Sequence, residues 1–253
     1  MGKKSFIMLL MVAMAAVLYP LYESYQGSEQ LTELGTYYAD NGVQDTGAQN
    51  LVTSVVVTYR GLDTLGEVTI LFLAASVISF FLSFGKENRI ENRQVRTITE
   101  VLSTSTQVLV PMIYMFGVYI FVNGHLTPGG GFQGGAVIAT GTLLMFLSNP
   151  NFELNHKVIH YVESTSGIVF VLIGVLGIFM AGGFLDNKVI ALGDTSVNVG
   201  KLFSAGAIPV IYSFLGLKVG TELSNVLGIF AESQNEIVEI SSDQNTNSLT
   251  DEK

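Results

Sequence analysis

Six long apolar runs, separated by polar stretches, dominate the chain: Ser5–Tyr22, Asp63–Phe84, Ser105–Val122, Phe132–Leu147, Val158–Gly183 and Lys201–Ile229. A bilayer core ~30 Å thick calls for about 20 apolar residues per helix, so the pattern predicts six transmembrane helices. The first and fourth runs are short and should lean on neighbouring protein or on tilted, interfacial ends. The first run has the length of a secretory signal, with Ala13-Met14-Ala15 as a cleavage triplet. Apolar residues continue to Leu21, however, and an uncleaved anchor is expected. Between the first two spans, Leu51, Val52, Val55, Val56 and Tyr59 recur at helical spacing opposite Thr53, Ser54 and Thr58. This predicts a short amphipathic helix on the outer membrane surface, although a Val/Thr-rich strand also fits. Residues 231–253 lack a core-forming pattern and are expected to be a disordered acidic tail.

One interruption stands out. Asn123–Gly135 holds six glycines and Pro128 in thirteen residues, between two apolar runs. Gly costs about 1 kcal/mol and Pro about 3 kcal/mol in a helix interior, so spans three and four must be joined by a glycine-rich loop. Irregular backbone near membrane depth persists only where protein covers it or water solvates it. The loop lacks the Lys-Ser/Thr ending of a phosphate-binding loop and no strand precedes it. Nucleotide binding is thereby set aside. Gly129, Gly130, Gly131, Gly134 and Gly135 are expected to supply positive φ and close backbone packing.

Hydrophobic residues make up 49% of the 253 residues and charged ones 13%, which fits a polytopic membrane protein rather than a soluble domain. The absence of cysteine excludes disulfides and thiolate metal sites. The net charge of −9 is uneven: residues 232–253 carry six acids and one base. No basic patch is available for nucleic acid. Lys3 and Lys4 precede span one, Lys86, Arg89, Arg93 and Arg96 follow span two, and Lys157 precedes span five. The loop Glu23–Gln49 has five acids and no Lys or Arg. The positive-inside rule then predicts cytoplasmic termini and an outward glycine loop.

Charge within a span costs at least a few kcal/mol unless it pairs or reaches water. Glu67 lies about one turn into span two, after Arg60 and Asp63. Glu163 lies about two turns into span five, after His156 and His160. Lys218 lies deep in span six, with Glu222 one turn later and Pro209 earlier in the same segment. These groups either relay protons or a cation, or are held structurally: Glu67 by Arg60, Glu163 by its helix N-terminus, and Lys218 by snorkelling. Pro209 is expected to kink its helix, freeing a carbonyl or merely bending the span. His156, His160 and Glu163 share a helical face, but the segment lacks the intervening glutamate of a hydrolytic zinc helix. No metal and no cofactor is expected. His125 either pins the loop by a hydrogen bond or admits protons. No nucleophile constellation is visible, so no catalytic site is expected in this chain.

Gly124-His125-Leu126-Thr127-Pro128-Gly129-Gly130-Gly131-Phe132-Gln133-Gly134-Gly135 resembles the signature of the B-type (MnhB) component of Mrp (Mnh)-type multisubunit Na⁺/H⁺ antiporters. Leu202–Pro209, Gly216–Gly220, Glu163-Ser164 with Gly167, and Gly182–Leu185 resemble further parts of that component, in order, over about Thr97–Phe230. Val52–Val57 and Tyr59–Thr69 are similar to the C-terminal end of the antiporter's large A-type component. In membrane-bound hydrogenases and related ferredoxin-linked complexes this piece is a separate small protein. The resemblance implies a fusion, with residues 1–96 as a two-span segment and 97–230 as a four-span domain, joined at the basic stretch Lys86–Arg96.

It further implies a non-catalytic membrane component of a cation/proton antiport module. That module is either a stand-alone antiporter or part of a hydrogenase- or sulfur-reductase-type respiratory complex. Its partners would be the other antiporter subunits, hydrogenase-like redox subunits, lipid, Na⁺ and H⁺, in a prokaryotic plasma membrane. Lys218, Glu67 and Glu163 are expected to line a lateral path, with His125, Asp63 and Arg60 shaping its outer end. The competing reading is a scaffold whose buried charges only lock interfaces. A self-sufficient transporter is disfavoured because no inverted repeat is apparent.

Overall fold

The computed structural model describes residues 3–24, 31–83, 99–149, 152–190, 200–202 and 204–250. Over these residues the protein is all-α: α1 (Lys3–Ser24), α2 (Glu33–Thr46), α3 (Leu51–Thr53) running into a π-helix (Ser54–Tyr59), α4 (Gly61–Ser83), α5 (Glu100–Val122), α6 (Gly131–Ser148), α7 (His156–Met180) and α8 (Ile208–Thr250). Six of them are long and apolar enough to cross a bilayer: α1, α4, α5, α6, α7 and α8 over Ile208–Ala231. The protein is a multi-pass membrane protein. The basic join Lys86–Arg96 lies outside the described residues, as does the very end of the tail.

The chain forms two compact units, Met1–Tyr37 and Tyr38–Lys253. The first contains α1, whose Ser24 hydroxyl donates to the Pro20 carbonyl at 2.7 Å. The second is a bundle arranged around α8, which packs against α4, α5, α6 and α7. Small residues make that central position possible, because bare backbone lets helices approach closely. A Cβ on Gly135 of α6 would sit 2.8 Å from the Gly216 carbonyl oxygen and 2.9 Å from the Gly220 nitrogen of α8. A Cβ on Gly131 would sit 2.7 Å from the Leu215 side chain. The buried core follows α8 through Ile208, Ile211, Leu215 and Val219, against Val57, Val68, Phe170, Ile173 and Leu185.

Several expectations change. Span six starts at Ile208 rather than Lys201. The preceding residues turn tightly, with Gly206 at φ +55° and its Cα against the Asn187 carbonyl, where no side chain would fit. Pro209 is therefore the second residue of α8 and does not kink it: the first turn needs no intrahelical N–H partner. The polar segment 231–250, expected to be disordered, continues α8 as helix to Thr250. It lacks Gly and Pro and extends a helix already nucleated by packing.

The expected amphipathic helix forms, with its polar face packed against protein. Leu51–Tyr59 is helical, but Thr53 and Ser54 are fully buried while Val52 is 68% exposed. The polar face points inward because hydrogen bonds await it there: Ser54 Oγ lies 2.7 Å from Thr46 Oγ1.

Candidate functional site

The buried charges meet within the membrane-spanning part of α8, Ile208–Ala231. Lys218 and Glu222 are one turn apart, and Lys218 Nζ lies 3.3 Å from Glu222 Oε2, with both side chains at most 9% exposed. The i,i+4 spacing of opposite charges is what brings them together. Neighbouring helices complete the site. The Phe72 ring of α4 sits 5.0 Å below Lys218 Nζ, a cation–π arrangement that steadies a poorly hydrated ammonium. Gly167 of α7 faces the lysine stem: a Cβ there would make ordinary contact, 3.4 Å from Lys218 Cδ. Glu163 lies one turn earlier on α7, its side chain 12% exposed. His160 Nδ1 lies 3.7 Å from Glu163 Oε2. Glu222 Oε1 is buried and has no hydrogen-bond partner among the described residues.

A second polar cluster closes the glycine-loop end. Asn50 Nδ2 donates to the carbonyls of Gly124 and Thr127 at 2.9 and 3.1 Å. The Asn50 backbone N–H donates to the His125 carbonyl at 3.0 Å. Tyr212 of α8 donates to Thr53 Oγ1 at 3.2 Å, and Thr53 Oγ1 to the Gly124 carbonyl at 2.7 Å. Asn187 Nδ2 donates to the Thr46 carbonyl at 2.8 Å, and Ser204 Oγ to the Gly47 carbonyl at 3.1 Å. Except for Tyr212 to Thr53, each bond satisfies a carbonyl at a loop or helix end.

His125 is wholly buried, not solvent-facing, with Nε2 3.3 Å from the Lys201 carbonyl oxygen. Burial lowers its pKa from the ordinary 6.5, and the carbonyls of Lys201, Val122 and Leu202 oppose that shift in part. None of Pro128, Gly129, Gly130, Gly131, Gly134 and Gly135 has a left-handed backbone. The loop glycines serve close approach: a Cβ on Gly129 would meet the Ile120 carbonyl oxygen at 2.8 Å. Positive φ falls elsewhere, at Gly47, Gly182, Gly200 and Gly206, with Leu185 the one other described residue.

The expected residues thus separate. Lys218 pairs with Glu222, and Glu163 lies on α7 one turn before Gly167, which packs against Lys218. Glu67 is exposed on α4. Arg60 Nε donates to Asp63 Oδ2 in a half-exposed pair, so Arg60 is engaged by Asp63. Sequence reading passed over Asn50, Thr53, Phe72 and Tyr212. Asn50 alone carried a signal, as a capping residue ahead of a helical run; its side chain accepts from the Val52 N–H at 3.1 Å.

Comparison with known proteins completes the picture. The family model MnhB, described as a domain related to the MnhB subunit of Na⁺/H⁺ antiporter, matches residues 101–225, and the family model MbhE, a component of MBH, matches residues 4–89. A protein of Staphylococcus aureus (strain Newman) named as antiporter subunit mnhB2 is 30% identical over 132 residues, covering 49% of this chain and 92% of that protein. The chain belongs to the MnhB-related family of antiporter subunits.

This MnhB-related chain is also 30% identical over 197 residues to the uncharacterized protein MJ1307 of Methanocaldococcus jannaschii, covering 69% of this chain and 74% of that protein. Among solved structures, it resembles a chain of the membrane-bound sulfane sulfur reductase, an archaeal respiratory membrane complex. There the TM-score is 0.77 at 40% identity, over 91% of this chain and 98% of that one. A chain of the Mrp complex from Dietzia sp. DQ12-45-1b matches with a TM-score of 0.63 at 26% identity, over 90% of this chain and 26% of that one. The MnhB-related chain therefore corresponds to about a quarter of that longer Mrp chain. It is a membrane subunit of a cation/proton antiporter-like module, with other subunits as its partners.

Proposed function

We propose that Lys218, Glu222 and Glu163 are this protein's contribution to the cation/proton path of the module, with Glu67, Tyr212 and the glycine-loop cluster towards its outer end. The observation that carries this reading is the Lys218–Glu222 pair at 3.3 Å, buried inside an apolar bundle. Burying an ion pair there stabilises little. The pair also lies within one helix, so it does not tie α8 to a neighbour as an interface lock would. That job has a better candidate: Ser224 Oγ of α8 donates to Thr142 Oγ1 of α6 at 3.0 Å, and Thr142 lies 3.1 Å from the Tyr114 hydroxyl of α5. The scaffold reading therefore has its own residues, distinct from the charges.

The charge distribution of the loops supports cytoplasmic termini and an outward glycine loop, in the plasma membrane of a prokaryote. The two family-model matches, at 4–89 and 101–225, support residues 1–96 and 97–230 as two joined pieces. Respiratory partners are favoured by the 40% identity to the sulfane sulfur reductase chain.

The test uses membrane vesicles holding the assembled complex. Lys218→Ala and Glu222→Gln should abolish Na⁺- or H⁺-coupled transport while subunit stoichiometry is unchanged. Normal transport in either variant, or dissociation of the complex by both, would end the ion-path reading.

A further inference from the structure

A ladder of decreasing exposure leads from the first turns of α7 to the centre of the bundle. The His160 side chain is 62% exposed and its Nδ1 lies 3.7 Å from Glu163 Oε2; the Glu163 side chain is 12% exposed. Glu163 lies one turn before Gly167, where an added Cβ would come 4.0 Å from Lys218 Nζ, on the face of α7 that packs against α8. The Glu222 side chain is 1% exposed, with Oε2 on Lys218 and Oε1 bare. Among the described residues, the other elements packed on α8 bring no further charge here. From α4 comes the Phe72 ring, while Glu67 is exposed. From α6 and α5 come the hydroxyls of Thr142 and Tyr114, directed to Ser224 and to each other. Lys218, Glu163 and Glu222 together carry one negative charge in excess when all are ionised. The cluster is one cation short of neutrality, and a bare oxygen marks where that cation would go.

We propose that His160, Glu163 and Glu222 form a proton-loading arm whose buried acceptor is Glu222 Oε1. The proposal rests on the ion-path reading and adds the entry side, the acceptor atom and the residue that takes protons from water. A proton suits the acceptor better than Na⁺. It forms an O–H bond on Oε1 and leaves Lys218 in place, whereas a metal ion would crowd the ammonium on the same carboxylate.

The steps balance. His160, protonated from water, gives its Nδ1 proton to Glu163 Oε2 and returns to neutral imidazole. Glu163 passes the proton to Glu222 Oε1 and returns to carboxylate. One proton has moved from water to Glu222, and the cluster is neutral.

The experiment follows proton-coupled transport in vesicles holding the full complex. His160→Ala should slow transport on the order of 10²-fold, the lower end of what a positioned acid–base group contributes. Imidazole added to the medium should restore it, which a merely structural role would not allow. Transport by His160→Ala at the parent rate, or failure of imidazole to restore it, overturns the arm. Glu222→Gln separates the two claims: if it is inactive while His160→Ala is unaffected, only the arm fails, and if it transports normally, the ion-path reading fails with it. A second measurement is independent of transport. In pH-difference infrared spectra of the complex, a protonated-carboxyl band should shift in Glu222→Asp and persist in Glu163→Gln. A band unaltered by Glu222→Asp would overturn the acceptor assignment.

Discussion

Gly134 of α6 and Gly117 of α5 cross backbone against backbone: a Cβ on Gly134 would lie 2.6 Å from the Gly117 carbonyl oxygen and 3.0 Å from Phe121 Cβ. Neither neighbour can yield without moving α5. Gly134→Ala should therefore destabilise the complex by about 1–3 kcal/mol, the usual range for overpacking. Gly66→Ala is the control, since nothing lies within 4 Å of a Cβ there. Thermal unfolding in detergent should show a lowered midpoint for the first variant and an unchanged or slightly raised one for the second.

Asn50 holds two carbonyls of the glycine loop and caps α3 at once. Asn50→Ala should leave those carbonyls unsatisfied, at a cost of about 1–3 kcal/mol. Asn50→Asp keeps the cap acceptor but loses both donors, so it should loosen the loop nearly as much. Hydrogen exchange of the Leu126 and Thr127 amides, which donate to the Asn123 carbonyl, reports the difference. Equal protection in parent and variants would show that the clamp does not hold the loop.

His125 predicts a pH dependence of stability. Burial lowers its folded pKa below 6.5, so the folded state resists a proton that the unfolded chain accepts. The contribution is whole above pH 6.5 and is lost as the pH falls from 6.5 towards the lowered folded value. His125→Gln should flatten the stability profile in that window. A profile with the same slope in the variant would assign the effect to another group.

The Lys218–Glu222 pair predicts a non-additive cycle. Lys218→Met alone leaves a buried carboxylate uncompensated and should cost about 3–5 kcal/mol, while Lys218→Met with Glu222→Leu should recover most of that. The double variant regains stability but not transport. By contrast, Thr142→Val removes the hydroxyl that links Ser224 and Tyr114. It should weaken helix packing by about 1–2 kcal/mol while transport per assembled complex is kept.

The spans were legible because hydropathy is a property of composition along the chain: five of the six helices begin and end within a few residues of the expected runs. The sixth departs because Lys201–Ala207 is apolar enough to read as helix, yet Gly206 and the Asn187 carbonyl force a turn there. That the polar face of the segment at Thr53 packs on protein was not legible, for a related reason. Apolar spacing reports which residues could face lipid, whereas Thr53 and Ser54 are drawn inward by Gly124 and Thr46, partners distant or invisible in the local pattern.

Charge in an apolar run, a glycine-rich break and an i,i+4 pair of opposite sign are local facts, and the sequence alone established them: a membrane-spanning all-α chain whose lysine and carboxylates needed partners. Which partners they have was decided only by tertiary packing. Glu163 is brought towards the Lys218–Glu222 pair because α7 packs on α8 with Gly167 against Lys218, and Lys218 rests over Phe72 because α4 packs on the same helix. Helix-to-helix placement depends on backbone-close crossings at Gly135, Gly216 and Gly220. Such contacts join residues far apart in the chain, so no local pattern encodes them.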